Sequence, residues 1–209
     1  MERENEFRDV ITGEEELRDL LGYPSEVVAR KAIGSLDDHC RDYIAKSPFL
    51  LVSTSDSEGR CDVSPRGDAP GFVLVLDGQR LVIPERPGNR RADSLRNIIS
   101  NPQIGLIFLI PGLEETLRVN GRAYVTRDEE LLQRMQAMGK SPQLGIGVVV
   151  EECYMHCAKA FKRSQLWKPE SWLGRERLPV PARILAAHTG RDEQSIAQGL
   201  VESYTQRLY

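Results

Sequence analysis

Two arginine-bearing segments between residues 64 and 94 have the composition of a phosphate site. Ser64 and Arg66 are two apart in an extended segment, so their side chains lie on one face. Asn89-Arg90-Arg91 lies at a predicted helix start, where free N–H groups attract an anion and arginine adds charge-assisted hydrogen bonds. The alternative is a set of solvated arginines, because basic clusters are common on protein surfaces. The residues alone leave both interpretations open.

Composition and charge are those of an ordinary globular protein. The 209 residues carry a net charge of −3 and 6% aromatic residues, which does not favour a nucleic-acid partner. No apolar run approaches the roughly 20 residues of a membrane span. The charged start, Met1 to Glu6, lacks the apolar stretch of a signal peptide. We therefore expect a cytoplasmic protein that binds neither nucleic acid nor membrane.

Sequence motifs for other phosphate sites and for hydrolytic chemistry are missing. No P-loop pattern is present, and Gly145-Ile146-Gly147 lacks the rest of a dinucleotide fingerprint. The sequence also lacks a hydrolytic triad or a paired-carboxylate motif. No residue is therefore assigned as catalytic, and any reactivity is expected to come from a cofactor.

The cysteines are interpreted as buried, reduced thiols rather than as metal ligands. Cys153 and Cys157 flank His156, but a zinc site needs about four ligands. Only His39 and His188 remain as histidines outside this cluster. No metal site is predicted. The four cysteines are Cys40, Cys61, Cys153 and Cys157.

The hydrophobic periodicity predicts short strands with helices at both ends of the chain. Asp77-Gly78 favours a tight hairpin, and Asn89 is a suitable N-cap for the helix that follows it. Helices are predicted at 14–21, 26–44, 89–101, 128–138 and 192–204, and strands at 49–54, 61–64, 72–76, 80–83, 104–110, 116–126 and 144–158. This pattern indicates a small antiparallel barrel, with 1–47 as an N-terminal helical extension, 48–168 as the barrel and 169–209 as a C-terminal helical tail.

Several short motifs, in order, resemble the pyridoxamine 5′-phosphate oxidase-like, FMN-binding split-barrel family. The closest likeness is to a bacterial, FMN-dependent branch of unassigned substrate. The resemblance implies a mainly β, α+β fold built on a six-stranded antiparallel split β-barrel, and a homodimer with FMN at the subunit interface. The motifs are Pro48-Phe49-Leu50, residues 59–68, Gly71-Phe72, residues 86–91, Asn101-Pro102, residues 118–123, residues 152–159 and the Trp167 region.

The resemblance also implies which residues contact FMN. Ser64, Arg66, Asn89, Arg90 and Arg91 would hold the phosphate. The backbone of Ile83 and Pro84 would follow the isoalloxazine ring, and Thr116 would lie near it. The segment from Lys162 to Trp167 would reach the flavin of the partner subunit.

Two departures from the family pattern bear on activity. The true oxidase has an Arg-x-Val-Leu-Leu-Lys strand where this chain has Ser64-Pro65-Arg66-Gly67-Asp68-Ala69, and its C-terminal Arg-x-His pattern is missing. The resemblance thus implies an FMN-dependent oxidoreductase of unknown small-molecule substrate, and not the true oxidase. The alternatives are a non-catalytic flavin-binding or stress-associated protein, or a split barrel that uses F420 or haem. His156 beside Cys157 is the local candidate for a haem ligand.

Overall fold

The computed structural model describes residues 7–209, which fall into two units divided between residues 32 and 33. Residues 1–6, on which the expectation about a signal peptide partly rests, lie outside the described residues. The first unit contains helices α1 (Glu14–Leu21) and α2 (Glu26–Arg30). The limits of α1 confirm the predicted helix at 14–21.

The second unit is built on one antiparallel sheet of seven strands in the order β2-β1-β5-β6-β7-β4-β3. The predicted fold class, an α+β split barrel, is confirmed. The sheet has seven strands, one more than the six-stranded barrel that the resemblance implies, and the strand predicted at 72–76 forms as the two-residue edge strand Leu74–Val75 against β4. The strands are β1 (Phe49–Ser55), β2 (Cys61–Gly67), β3 (Leu74–Val75), β4 (Arg80–Pro84), β5 (Gln103–Leu109), β6 (Thr116–Thr126) and β7 (Gly145–His156).

Alternation along the strands produces the core. Leu50 and Val52 of β1 and Leu106 and Phe108 of β5 are at most 1% exposed, while the residues between them face outward. Helix α3 (Asp38–Lys46) contributes Tyr43 and other apolar side chains to this core. Burial raises the pKa of Tyr43 to about 12, and its hydroxyl donates to the Glu115 carbonyl at 2.9 Å.

The predicted helix at 26–44 is wrong, because the chain between α2 and α3 leaves the helical conformation. There Ile33 forms an isolated antiparallel bridge with Cys153 of β7, with N···O distances of 3.0 and 2.7 Å in the two directions. Helix α3 then starts afresh at Asp38, and the Asp37 carboxylate caps it by accepting from the Cys40 N–H at 2.8 Å. The apolar periodicity of residues 26–44 favoured one continuous helix, but backbone pairing of Ile33 with β7 interrupts it.

The predicted N-cap Asn89 is also wrong. Helix α4 spans Asp93–Ser100, and its N-cap residue is Ala92 in the left-handed region at φ 57°. The Asn89 side chain instead accepts from the Arg91 N–H at 3.0 Å, which stabilises a turn ahead of the helix. The loop between β4 and α4 is therefore longer than the sequence suggested.

The remaining helices lie late in the chain. Asp128 caps α5 (Glu129–Gln133), which is shorter than the predicted helix at 128–138. The predicted C-terminal helix is confirmed as α8 (Glu193–Gln206), whereas the sequence did not predict α7 (Pro181–Thr189), which begins at a proline. Helix α6 spans Lys159–Ser164, and 3₁₀ turns lie at Pro169–Ser171 and Arg175–Arg177. Within residues 7–209, no helix combines the length and apolar composition that a membrane span requires.

The four cysteines are all free thiols in two environments. Cys40 and Cys153 are buried with their sulfurs 3.3 Å apart, whereas Cys61 and Cys157 are exposed. The prediction of buried thiols is right for the first pair and wrong for the second. The described part of the chain contains no group of three or more His, Cys, Asp or Glu side chains arranged to hold a metal ion.

Candidate cofactor site

Strand β2 presents polar side chains to the inner face of the sheet. Ser64 and Arg66 pair directly opposite Val52 and Leu50 of β1, which are fully buried. Directly opposite residues in an antiparallel pair point to the same face, so Ser64 and Arg66 face inward, as does Asp62. The prediction that Ser64 and Arg66 share a face is confirmed. Polar side chains that face the interior of a barrel need hydrogen-bond or charge partners. The loop that follows β4 supplies some of these partners.

Arg66 is the centre of this row. One terminal nitrogen donates to the Ser64 hydroxyl at 2.6 Å and to the Pro65 carbonyl at 3.0 Å. The other lies 3.1 Å from Oε2 of Glu85, the residue that follows β4. The side chains of Arg66 and Glu85 are 15% and 26% exposed, so this ion pair is largely removed from water.

The Arg66–Glu85 pair is incompletely hydrogen-bonded. Among residues 7–209, Arg66 Nε and Glu85 Oε2 are the buried side-chain polar atoms that have no hydrogen-bond partner. Leaving a buried polar group unsatisfied costs about 1–3 kcal/mol, and more when it is charged. A guanidinium N–H with no acceptor, beside a serine hydroxyl, fits a phosphate oxygen. Because Arg66 Nε has no acceptor, Arg66 and Ser64 fit the phosphate group of a cofactor.

The buried position of Glu85 changes the pKa of its carboxyl group. Burial raises the pKa of its carboxyl above the usual range, although the charge of Arg66 opposes the shift. Burial therefore outweighs the attraction of the nearby guanidinium.

The next residue, Arg86, holds the loop in place through two hydrogen bonds. Its guanidinium donates to Asp68 Oδ2 at 2.7 Å and to the Met135 carbonyl at 2.8 Å. The Asp68 side chain is 5% exposed and also accepts from the Tyr209 hydroxyl at 2.8 Å. Burial alone would raise the pKa of Asp68, but bonds from the Ala69 N–H and the Tyr209 hydroxyl, together with Arg86, lower it. The start of the loop is thus anchored independently of Glu85.

The tip of the loop carries the predicted Asn89, Arg90 and Arg91, all of which are exposed. Arg90 has φ 62° and Ala92 has φ 57°, conformations that cost a non-glycine residue on the order of 1–3 kcal/mol each. Arg91 Nε lies 2.7 Å from Asp93 Oδ2, and this bond raises the pKa of Arg91. The two arginines therefore lie near the N-terminus of α4 with exposed side chains.

A polar cleft of about 520 Å³ connects this tip to β2. It lies between the β1–β2 turn and α4, and its lining includes Asp62, Arg91 and Arg96. Ser94, in the first turn of α4, donates to Asp62 Oδ2 at 2.6 Å. One end of the inward row on β2 therefore meets α4, the other end meets Glu85, and Ser64 lies between them.

Ile83 and Pro84 are buried in β4 and lead directly into Glu85. They pair with Ile146 and Gly145 of β7, and the Glu85 N–H donates to the Leu144 carbonyl at 3.0 Å. Strand β4 therefore fixes the backbone from which the Glu85 side chain projects.

The other predicted residues, Thr116, Lys162 and Trp167, form a second group. Lys162 pairs with Glu114, and Trp167 Nε1 donates to the Leu113 carbonyl at 2.9 Å. Thr116 follows directly in the chain and is 3% exposed. The indole of Trp167 also stacks on Phe161 with centroids 5.6 Å apart. The short segment 113–116 thus contains Thr116 together with the partners of Lys162 and Trp167.

The two groups lie at opposite ends of β7. Thr116 pairs with His156 at its C-terminal end, whereas Pro84 pairs with Gly145 at its N-terminal end. Within one chain, Thr116 and Pro84 therefore lie at opposite ends of β7 and are not neighbours in the sheet. Sequence reasoning missed Glu85, for which the available signal was a carboxylate next to the arginine-rich loop.

Comparisons with known proteins agree with this architecture. The family model for pyridoxamine 5′-phosphate oxidase matches residues 36–157. No protein of curated function matches in sequence.

Solved structures with a similar fold share little sequence with the chain. HupZ from Group A Streptococcus is 18% identical over 57% of this chain and 92% of its own, with a TM-score of 0.47. An FMN-binding protein from Syntrophomonas wolfei is 13% identical over 69% and 96%, with a TM-score of 0.47. The haem storage protein HutZ from Vibrio cholerae is 20% identical over 58% and 93%, with a TM-score of 0.41. Because the family model covers more than half of the chain, the protein belongs to the pyridoxamine 5′-phosphate oxidase family.

Proposed function

We propose that the protein binds FMN and is an FMN-dependent oxidoreductase acting on a small molecule other than pyridoxamine 5′-phosphate. The observation that carries the proposal is the buried Arg66 Nε, which faces inward beside Ser64 without an acceptor. A phosphate oxygen would satisfy this donor. Bound FMN would supply hydride exchange at its flavin ring.

In this proposal each group of residues has a separate task. Arg66 and Ser64 bind the phosphate from the inner face of β2, and Arg90 and Arg91 approach it from the loop before α4. Ile83 and Pro84 place buried backbone beside the ring. Thr116, Lys162 and Trp167 belong to a second copy of the chain, because they lie at the other end of β7 from Pro84.

A homodimer would also cover apolar surface on the outer face of β1 and β2. Val63 is 60% exposed and Phe49 is 37% exposed, and the exposed Pro65 lies between them on that face. An edge strand with outward apolar side chains is a surface that a partner commonly covers. Light scattering should give the mass of a dimer; a monomer at micromolar concentration would argue against a site shared by two subunits.

The direct test is reconstitution with FMN followed by absorbance spectroscopy. We expect the purified or reconstituted protein to be yellow and to show the flavin absorbance bands. A colourless protein that takes up no FMN would refute the proposal. Uptake of F420 or haem in place of FMN, each with its own spectrum, would keep the fold but change the cofactor. Bound FMN that neither NAD(P)H nor a flavin reductase can reduce would indicate a binding protein without turnover.

A further inference from the structure

We propose that Glu85 is a built-in competitor for the phosphate site: its carboxylate pairs with Arg66 and has to leave when a phosphate ligand binds. This inference rests on the proposed function, because it concerns the same Arg66 site. It assigns to Glu85 a role in setting the affinity for the phosphate group.

The first support is a contrast between two neighbouring ion pairs. Arg86 and Asp68 form a 2.7 Å hydrogen bond, and both side chains have further hydrogen-bond partners. Arg66 and Glu85 approach to 3.1 Å, yet Arg66 Nε and Glu85 Oε2 are left unsatisfied. An ion pair that only stabilised the fold would resemble the first pair. The second has the incomplete bonding expected of a carboxylate that stands in for a better acceptor.

The second support is the way Glu85 is attached to the chain. Its backbone N–H is fixed by the Leu144 carbonyl at 3.0 Å, directly after the buried strand β4. Its carboxylate is 26% exposed, so a rotation of the side chain can carry it into water without moving β4. Displacement therefore requires a change of rotamer and no refolding of the loop.

The third support is the balance of charge. The charged groups around Glu85 are Arg66 on β2 and the Arg86–Asp68 pair, to which the Tyr209 hydroxyl donates. Since Arg86 and Asp68 neutralise each other, Arg66 is, among these groups, the cation available to a new anion. A phosphate monoester carries about −1.5 to −2 charges at neutral pH, and an ionised Glu85 at the same guanidinium would repel it.

The competition predicts a dependence on pH. The pKa of Glu85 is raised, so acidification protonates it earlier than an ordinary glutamate and removes the competing charge. The difference in FMN affinity between wild type and Glu85→Gln should therefore shrink as pH falls from 8 to 5. The comparison cancels the titration of the phosphate itself, because both proteins bind the same ligand.

The test is a fluorescence titration with FMN and with riboflavin, which lacks the phosphate. We expect Glu85→Gln to bind FMN about tenfold more tightly, the effect of freeing one charge-assisted hydrogen bond, and to bind riboflavin as wild type does. Glu85→Asp, whose shorter carboxylate retracts from Arg66, should change the affinity in the same direction. Glu58→Gln is the matched control, because Glu58 pairs with Arg60 on an exposed turn.

The outcomes separate this inference from the proposed function. If Arg66→Gln weakens FMN binding while both Glu85 variants bind FMN no more tightly than wild type, the phosphate site stands and the competitor role is wrong. If Arg66→Gln leaves FMN affinity unchanged, the phosphate site itself is wrong. A gain in affinity for riboflavin equal to that for FMN would also overturn the competitor role.

Discussion

The Arg66 region and the Trp167 region both carry residues that we propose contact the cofactor, but they differ in how completely their polar groups are bonded. In the Arg66 region, two buried polar atoms have no partner within residues 7–209. In the Trp167 region, the indole N–H and the Lys162 ammonium both have partners, the Leu113 carbonyl and Glu114. The first region resembles a site prepared for a ligand, and the second resembles a finished structural contact.

Most of the free energy of cofactor binding should therefore come from the Arg66 region. A ligand that satisfies a buried donor removes an existing penalty, whereas a ligand that meets a satisfied group has to replace a bond already present. We therefore expect substitutions in the Arg66 region to have larger effects on FMN affinity than substitutions in the Trp167 region.

The largest expected effect is that of Arg66→Gln. It removes the charge and the unsatisfied Nε donor, so we expect FMN affinity to fall about 100-fold, while riboflavin binding changes little. Arg66→Lys keeps the charge but loses the forked arrangement of donors, so FMN affinity should fall about tenfold. Isothermal titration calorimetry checks both values; equal losses for FMN and riboflavin would show that Arg66 does not contact the phosphate.

The next effect concerns stability within the same region. Asp68→Asn removes the charge from a nearly buried group that accepts from Arg86 and Tyr209, and should lower the free energy of unfolding by about 2 kcal/mol. Because the pKa of Asp68 is lowered in the folded state, its contribution is present above the ordinary aspartate pKa of about 3.9. That contribution should disappear as pH falls through the folded value. Urea unfolding of wild type and Asp68→Asn at pH 7 and pH 3 measures the loss of stability and its pH dependence. An equal loss in the free energy of unfolding at the two pH values would contradict the prediction.

A smaller effect is expected for the double substitution Arg90→Ala and Arg91→Ala. Both side chains are exposed, and Arg91 already pairs with Asp93. We expect FMN affinity to fall about tenfold, less than for Arg66, because solvent screens these charges. Arg183→Ala is the control, because Arg183 is an exposed arginine on α7 that also pairs with an acidic residue, Glu193. A larger loss than that of Arg66→Gln would move the centre of the phosphate site to the loop.

The smallest effect is expected in the Trp167 region. Trp167→Phe keeps an aromatic ring beside Phe161 but loses the bond to the Leu113 carbonyl, and should weaken FMN by about threefold or less. Trp172→Phe is a matched control, because Trp172 also donates to a backbone carbonyl at 2.9 Å. A 100-fold loss for Trp167→Phe alone would reverse the comparison between the two regions.

The sequence predicted the parts of this site that depend on local periodicity. Ser64 and Arg66 share a face because side chains alternate along a strand, and this is visible from spacing alone. The sequence correctly predicted a helix after β4, but it placed Arg90 and Arg91 at the start of that helix, whereas they lie in the turn before it.

The missed features depend on contacts between distant segments. Ile33 pairs with Cys153 and interrupts a helix that the local pattern supported. Glu85 lies beside Arg66 because the end of β4 is close to the inner face of β2. The two residues are 19 positions apart in sequence, so no local pattern predicts this contact. Propensity and periodicity describe neighbours in sequence, so they do not reveal which carboxylate a barrel brings to which arginine.

The most direct measurement is a crystal structure of the protein with FMN bound. We predict that a phosphate oxygen lies within hydrogen-bond distance of Arg66 Nε and the Ser64 hydroxyl, and that the Glu85 carboxylate has left the guanidinium. FMN bound with its phosphate away from Arg66, and with the Arg66–Glu85 pair intact, would contradict the central claim.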